Sequence, residues 1–322
     1  MSHPQIDISS VYPVLSPKEL ISNVVPLYKI PNPISCEILH QGINDSYIVT
    51  SERKKHLLRI YRKNWRSLLD IEFEIEALNY LHEKGAHVAY PIEKNQGGYI
   101  TEINTPEGLR YAIITTFAEG EELKYKNIDD AAQYGKSVAK IHQLSDDFIS
   151  NHARYKLDLK HLVEEPLKRI KLSLSHRVDD WVFLNNYASV LSKKINESDS
   201  VLLDYGFCHG DFHGWNAHKH REEITFYDFD CCGFGLRAYD LAVFKWSARL
   251  RNKENEWWVP FLNAYRRVRP ISEYDLSFVD IFISIRHIWL IGLHIETASD
   301  QDWLDDSYFD REIQFLKQNA GL

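Results

Sequence analysis

Two short runs hold the residue types best suited to chemistry. They are His209-Gly210-Asp211-Phe212-His213-Gly214-Trp215-Asn216 and, after a short apolar stretch, Phe226-Tyr227-Asp228-Phe229-Asp230. Phosphoryl transfer asks for one carboxylate to orient an attacking hydroxyl and accept its proton, and for oxygen ligands that hold a metal ion on the phosphates. Mg2+ favours carboxylate and amide oxygens. An Asp followed five positions on by an Asn, with a second Asp behind a short strand, supplies those parts. An H-x-D run alone arises by chance in many chains; the ordered pair carries the weight. Two other readings stay open on these residues. Asp and Asn also cap the turns of an ordinary polar surface loop. His209, His213, His218 and His220 crowd one stretch and could ligate zinc in a hydrolase, although zinc loops usually set two His at a fixed short spacing on one rigid element.

The elements that must position these runs follow from periodicity. Ile34–His40, Ser46–Thr50, His56–Tyr61, Val88–Glu93, Tyr99–Ile103 and Leu109–Phe117 read as strands. Between them, Ser67–Lys84 reads as a helix, with Leu68, Ile71, Ile75 and Leu78 at helical spacing and Gly85 as the stop. The composition changes at Ala118-Glu119-Gly120-Glu121-Glu122. Beyond it, helices are expected at Ile128–Leu144, Leu157–Leu174, Asp179–Ile195, Ala238–Leu250, Asn255–Arg266, Glu273–Thr297 and Asp306–Gln318. Tyr205–Cys208 and Ile224–Tyr227 read as short strands bracketing the polar loop. The expected class is α+β, with residues 1–117 forming a β-rich lobe and residues 118–322 a helical one. Alternation places Leu57, Arg59 and Tyr61 on one strand face. On the first helix, Glu74 shares a face with Leu78 and Leu81 and should point inward, while Glu72 and Glu76 lie about 200° around.

The loop resembles the H-x-D-x-x-x-x-N loop of the aminoglycoside phosphotransferase and choline kinase-like family, relatives of protein kinases, with Tyr227-Asp228-Phe229-Asp230 in place of their metal-binding Asp motif. Gly42-Ile43-Asn44-Asp45-Ser46-Tyr47, Leu57-Leu58-Arg59-Ile60-Tyr61-Arg62 and Arg286-His287-Ile288-Trp289 are similar in style to homoserine kinase-like and stress-response kinase-like bacterial members. The resemblance covers nearly the whole chain. It implies a two-lobed protein-kinase-like fold, a five-stranded antiparallel sheet with one key helix in the first lobe, and ATP with Mg2+ as cofactors. It makes Asp211 the catalytic base, His209 a brace of the loop, and Asn216 and Asp228 the metal ligands, with Asp230 assisting the metal or the loop. Asp240 resembles a buried helix-start Asp that hydrogen-bonds the catalytic loop. Kinases pair a strand cation with a helix carboxylate beside the nucleotide phosphates, which selects Arg59 and Glu74; Arg59 departs from the more usual Lys. The turn between the first two strands lacks G-x-G-x-x-G; Gly42, Asn44 and Ser46 fall where kinases cover the phosphates, and an ordinary hairpin turn explains them almost as well. The backbone of Thr115 to Phe117 is expected to meet adenine. Cys231 departs from the Asp often found there.

No motif names the acceptor. Trp246, Trp257, Trp258, Trp289 and Trp303 could cage a quaternary ammonium, or simply pack helices. Glu296, Asp300, Asp302, Asp305 and Asp306 could attract a cationic substrate, or form a solvated face. Arg286 and His287 open a late apolar helical stretch and are placed beside the acceptor. The favoured reading is a kinase of a small molecule of amino alcohol, amino acid or aminoglycoside type. A Ser/Thr protein kinase is the second reading, weakened because only nine residues separate Asp230 from Asp240 and no Ala-Pro-Glu follows. A nucleotide-binding scaffold without turnover is the third.

Composition removes other classes. The 322 residues are 44% hydrophobic and 26% charged, with a net charge of -8 and no massed Lys or Arg, which argues against nucleic acid as partner. Met1-Ser2-His3-Pro4-Gln5-Ile6-Asp7 lacks the basic and apolar regions of a signal peptide, and no run approaches the roughly 18 apolar residues that span a bilayer. Cys36, Cys208, Cys231 and Cys232 form no C-x-x-C unit, which favours a reducing cytoplasm.

Overall fold

The computed structural model describes residues 14–52, 54–123, 128–298 and 303–322. The opening Met1–Asp7 run, Arg53, Asp300 and Asp302 lie outside the described residues. The chain divides into two compact units, one bounded by Met1–Leu68 and Pro91–Phe117, the other by Leu69–Tyr90 and Ala118–Leu322.

The first unit is a five-stranded antiparallel sheet with α1 (Pro17–Asn23) packed beside it. Its strands are β1 (Pro33–Gln41), β2 (Asp45–Ser51), β3 (Lys55–Ile60), β4 (Thr101–Thr105) and β5 (Gly108–Thr116), in the spatial order β1-β2-β3-β5-β4. Alternate residues face opposite sides of a pleated sheet. Accordingly Tyr47, Val49, Leu58, Ile60, Ala112 and Ile114 are buried together with Leu20, Val24 and Tyr28 of the N-terminal segment. Asp45, at the start of β2, meets Arg110 of β5 at 2.9 Å with both side chains fully buried. Arg110 also donates to the Tyr61 carbonyl at 2.9 Å. Such a pair is costly to break from one side, because the remaining charge is left buried.

The expected strand at Val88–Glu93 does not form. Val88 bridges only to Phe226, and Pro91 only to Thr115. Pro91 has no N–H to offer a ladder, so the segment stays extended without joining a sheet.

The second unit begins with α2 (Leu68–Glu83), whose Phe73, Ala77, Leu78 and Leu81 enter that unit's core. Glu72 and Glu76 lie on another face: Glu72 meets His152 at 3.1 Å, and Glu76 accepts from Asn151 N at 3.1 Å. Then follow β6 (Glu121–Glu122), α3 (Ile128–Leu144), β7 (Lys156–Leu157), α4 (Glu165–Ser173) and α5 (Val178–Asn196). The helix expected from Leu157 starts later, as a π-helical stretch at Lys160–Glu164 that runs into α4. Next come β8 (Tyr205–Cys208), β9 (Ala217–His220), β10 (Glu223–Phe226), β11 (Gly233–Leu236), α6 (Ala238–Leu250) and α7 (Glu254–Val268). The chain ends in α8 (Glu273–Leu276), α9 (Val279–Thr297) and α10 (Asp306–Ala320). The single helix expected over Glu273–Thr297 is therefore broken at Ser277-Phe278. The short α8 is set by its cap, where Ser272 Oγ accepts from Asp275 N at 2.9 Å. Among the described residues, no helix is long and apolar enough to cross a membrane.

Candidate active site

The run from His209 to Asn216 leaves β8 and enters β9, inside the second unit. Two small sheets frame it: β8 pairs with β11, and β9 pairs with β10 and β6. At Gly210 the backbone has φ +80°, and an added Cβ would lie 2.3 Å from the Cys231 carbonyl oxygen, so only glycine fits. The loop's backbone is held by the carboxylate of Asp240, fully buried at the start of α6. Its Oδ2 accepts from His209 N and its Oδ1 from Gly210 N, both at 2.8 Å. His142 Nε2, on α3, reaches Oδ2 at 3.0 Å, and its Nδ1 lies 2.8 Å from the Tyr265 hydroxyl. Burial keeps the His142 imidazole below its ordinary pKa even against the pull of Asp240. The expected loop-bracing Asp is thus observed; the histidine and tyrosine behind it are not visible in the loop's own sequence.

His209 spans the loop. Its Nδ1 accepts from Asp211 N at 3.1 Å, which leaves Nε2 as the protonated nitrogen, 3.1 Å from the Tyr227 carbonyl. The ring lies against Phe212 and Phe229, and burial lowers its pKa.

Asp211 sits at the mouth of this frame with its side chain 17% exposed. Oδ1 lies 2.5 Å from Arg286 Nη2 on α9, while Oδ2 lies 3.1 Å from Asn216 Nδ2 and 3.3 Å from His213 Nε2. Burial pushes its carboxyl upward, but the Arg286 and His213 charges outweigh it and hold it far below the usual carboxylate range. Asn216 Nδ2 also donates to the Asp211 carbonyl at 3.1 Å, which turns the amide oxygen Oδ1 away from that carboxylate. Tyr227 N donates to the Asn216 carbonyl at 3.0 Å, carrying the β9–β10 pairing one step further and bringing Asp228 to the loop. Asp228 adopts φ 62°, in the left-handed region. Asp230 is buried, and its carbonyl accepts from Tyr155 OH at 3.4 Å and from Arg154 Nη2. Arg154 also donates to Cys232 O at 2.8 Å and to Asp70 O at 2.7 Å, so one unanticipated side chain ties the Asp230 turn to the start of α2.

The donors at Asn216, Asp228 and Asp230 are amide and carboxylate oxygens, the set that suits a hard divalent cation. The four histidines do not converge. His209 and His213 are engaged as above, His218 Nδ1 lies 2.7 Å from Ala118 O, and His220 lies 3.4 Å from Glu119. Among the described residues, no three His, Cys, Asp or Glu side chains gather as a metal cage.

The first unit carries most of the remaining candidates. Ser46 pairs with Arg59 across β2 and β3, and Leu57 pairs with Thr115 across β3 and β5. By register, Ser46, Arg59 and Thr115 therefore share the sheet face opposite the Tyr47 and Leu58 core. Asn44 Oδ1 accepts from Arg62 N at 3.1 Å, so its side chain secures the turn itself. Gly42 lies in that turn, and Phe117 follows the end of β5. Glu74, on α2 in the second unit, is buried, as its helical phase requires.

Both acceptor ideas meet structural answers. The faces of Trp246 and Trp289 are covered by the Arg286 guanidinium, at 5.2 and 4.5 Å from the ring centroids. Trp257 is buried in the core and Trp303 is half exposed. The described acidic residues near the C-terminus have local roles. Glu296 meets Arg169 at 2.9 Å, Asp306 meets His176 at 2.8 Å, and Asp305 caps α10 by accepting from Tyr308 N at 2.9 Å. His287 accepts from Trp246 Nε1 at 3.1 Å.

The profile of the phosphotransferase enzyme family matches residues 36–274. An uncharacterized protein of Synechocystis sp. is 31% identical over 317 residues, covering 96% of this chain and 87% of its own. A homoserine kinase of Bartonella henselae is 26% identical over 271 residues, 78% of this chain and 77% of that one. The amicoumacin kinase hAmiN, solved in complex with AMP-PNP and Ca2+, matches with a TM-score of 0.78 at 21% identity over 94% of this chain and 93% of that chain. The fold is protein-kinase-like. The chain belongs to the phosphotransferase enzyme family and is a phosphotransferase with an alcohol group as acceptor.

Proposed function

We propose that the protein transfers the γ-phosphoryl group of ATP, in the presence of Mg2+, to the hydroxyl of a small molecule of amino alcohol, amino acid or aminoglycoside type. The observation that carries this reading is the Asp211 carboxylate, held on one oxygen by Arg286 and facing Asn216 and His213 with the other. Oδ2 has the longer contacts, so an entering hydroxyl competes for that oxygen. Asp211 orients the hydroxyl and accepts its proton as the bond to phosphorus forms. His209 acts through the loop, keeping the Asp211 backbone in place. Asn216 and Asp228 are the metal ligands in this reading, with Asp230 in support. Mg2+ bound there would offset charge on the phosphates and fix them relative to Asp211.

Residues 1–117 form the nucleotide-binding lobe of this reading, and residues 118–322 hold the catalytic loop and the acceptor. Arg59 reaches the phosphates and Glu74 fixes Arg59. Gly42, Asn44 and Ser46 cover the phosphates; the Asn44 side chain is committed to Arg62, so Asn44 contributes backbone N–H. Adenine meets the backbone from Thr115 to Phe117. The four free cysteines, three of them buried, fit a reducing cytoplasm.

The test is ADP release across a panel of hydroxyl-bearing metabolites and antibiotics, with Asp211→Asn alongside. The substitution is expected to lower kcat by about 10²–10⁴-fold while nucleotide binding persists. Equal turnover by the two proteins would remove Asp211 from the chemistry.

A further inference from the structure

We propose that Arg286 is a positioning residue for Asp211. Its guanidinium fixes one carboxylate oxygen so that the other is presented to the acceptor hydroxyl. The assignment rests on Asp211 being the base.

Three observations converge. Arg286 is 2% exposed, yet its charge does not end in a structural network of its own; it ends on Asp211 Oδ1 at 2.5 Å. Second, the guanidinium is held from several sides. Trp289 and Trp246 cover it, Tyr239 adds a hydroxyl, and Nη1 lies 3.5 Å from the Gly210 carbonyl. Gly210 is a loop position where no side chain fits, so Arg286 contacts both the base and a backbone-constrained residue beside it. Third, Trp246 is itself fixed: its Nε1 donates to His287 Nδ1, and His287 Nε2 lies 3.1 Å from Glu312. The order of support runs from α10, through His287 and Trp246, to Arg286 and then to the base.

The two Asp211 oxygens are unequal in consequence. Oδ1 has a short, charge-assisted contact with a rigid partner, while Oδ2 has contacts of 3.1 and 3.3 Å with Asn216 and His213. Loss of the Oδ1 anchor lets the carboxylate rotate about its side-chain bonds and separates Oδ2 from the acceptor. Arg286→Lys is not a conservative change at this site, because an ammonium lacks the planar fork that reaches both Oδ1 and the Gly210 carbonyl from beside two indole rings.

The experiment measures kcat and KM for an active acceptor in wild type, Arg286→Lys, Arg286→Met and Arg286→Gly, with nucleotide affinity and Tm for each. Expected is a fall in kcat on the order of 10²-fold in the Lys and Met variants, with the nucleotide Kd within about twofold of wild type. Added guanidinium is expected to restore part of kcat in Arg286→Gly and none in Asp211→Asn. If Arg286→Met fails to fold, Arg286→Lys and the rescued Arg286→Gly carry the test. Wild-type kcat in Arg286→Lys, or a loss confined to Tm and nucleotide affinity with no rescue, overturns the assignment alone. A wild type that phosphorylates no acceptor overturns the proposed function, and this assignment with it.

Discussion

Asp240 is the residue on which the loop's backbone most depends. Its two oxygens take three contacts, from His209 N, Gly210 N and His142 Nε2, in a fully buried setting. Asp240→Ala leaves two buried N–H groups and an imidazole without their acceptor. A buried donor without a partner costs about 1–3 kcal/mol, so a loss of about 3 kcal/mol in unfolding free energy is expected for this substitution. The stability loss should come with a fall in kcat, because Gly210 and Asp211 lose their register with Arg286. Urea denaturation and steady-state kinetics on the same preparation decide it; a variant of wild-type stability would mean the loop is held by other contacts. The spacing of His209, Asp211, Asn216 and Asp228 was readable in the sequence because those residues lie within one loop and one hairpin. His142 and Arg154 were not, and Arg286 was placed beside the acceptor but not paired with Asp211, since a residue's role as a partner depends on chain closure over long separations. Asp240 and His142 are 98 positions apart, and Asp211 and Arg286 are 75 apart.

At the scale of elements, the contact between α3 and α7 depends on Gly135. A Cβ there would stand 2.2 Å from the Phe261 carbonyl oxygen, a backbone atom that cannot step aside alone. Gly135→Ala must therefore separate two helices whose Tyr134 and Phe261 rings meet each other at a tilt and both stack on Phe244 of α6. The expected cost is about 1–3 kcal/mol, even though alanine is the better helix former, and it is read as a lower Tm by calorimetry. An unchanged or raised Tm would show that the helices separate freely. Periodicity located α3 at its observed ends because a long amphipathic pattern leaves little choice; α6, buried on nearly every side, was bounded instead by Arg237 and Arg251. It failed where local chemistry overrode pattern. Pro91 removed a strand, the break at Ser277-Phe278 split one long helix into α8 and α9, and β9 (Ala217–His220) and β11 (Gly233–Leu236), one mostly polar and the other half glycine, lack the β-rich composition that made the equally short β8 and β10 readable. The inward phase of Glu74 was legible for the opposite reason, since sixteen residues of α2 average out local exceptions.

For the molecule as a whole, the acidic excess of -8 means that acid stability depends on which carboxylates gain partners on folding. Asp180 and Glu312 are two such carboxylates outside the catalytic loop, and both hold α10. Burial pushes the Asp180 carboxyl up, but hydrogen bonds from Arg177 and Lys317 prevail and lower it. Burial opposes ionisation of Glu312 as well, while His287 and Arg311 lower it. A carboxylate whose folded pKa is depressed binds more protons when unfolded, so folding stability rises with pH across its titration. The contribution is complete above the unfolded values, 3.8 for Asp180 and 4.5 for Glu312, and is lost as pH falls below them toward the folded values. Both side chains are no more than 15% exposed, so each contribution is on the order of 1 kcal/mol at neutral pH. Asp180→Asn and Glu312→Gln should therefore be less stable than wild type at pH 7 and approach it at pH 3. Urea midpoints for the three proteins at both pH values measure the gap. A gap that stays constant between pH 7 and pH 3 would place the acid-labile contacts elsewhere in the chain.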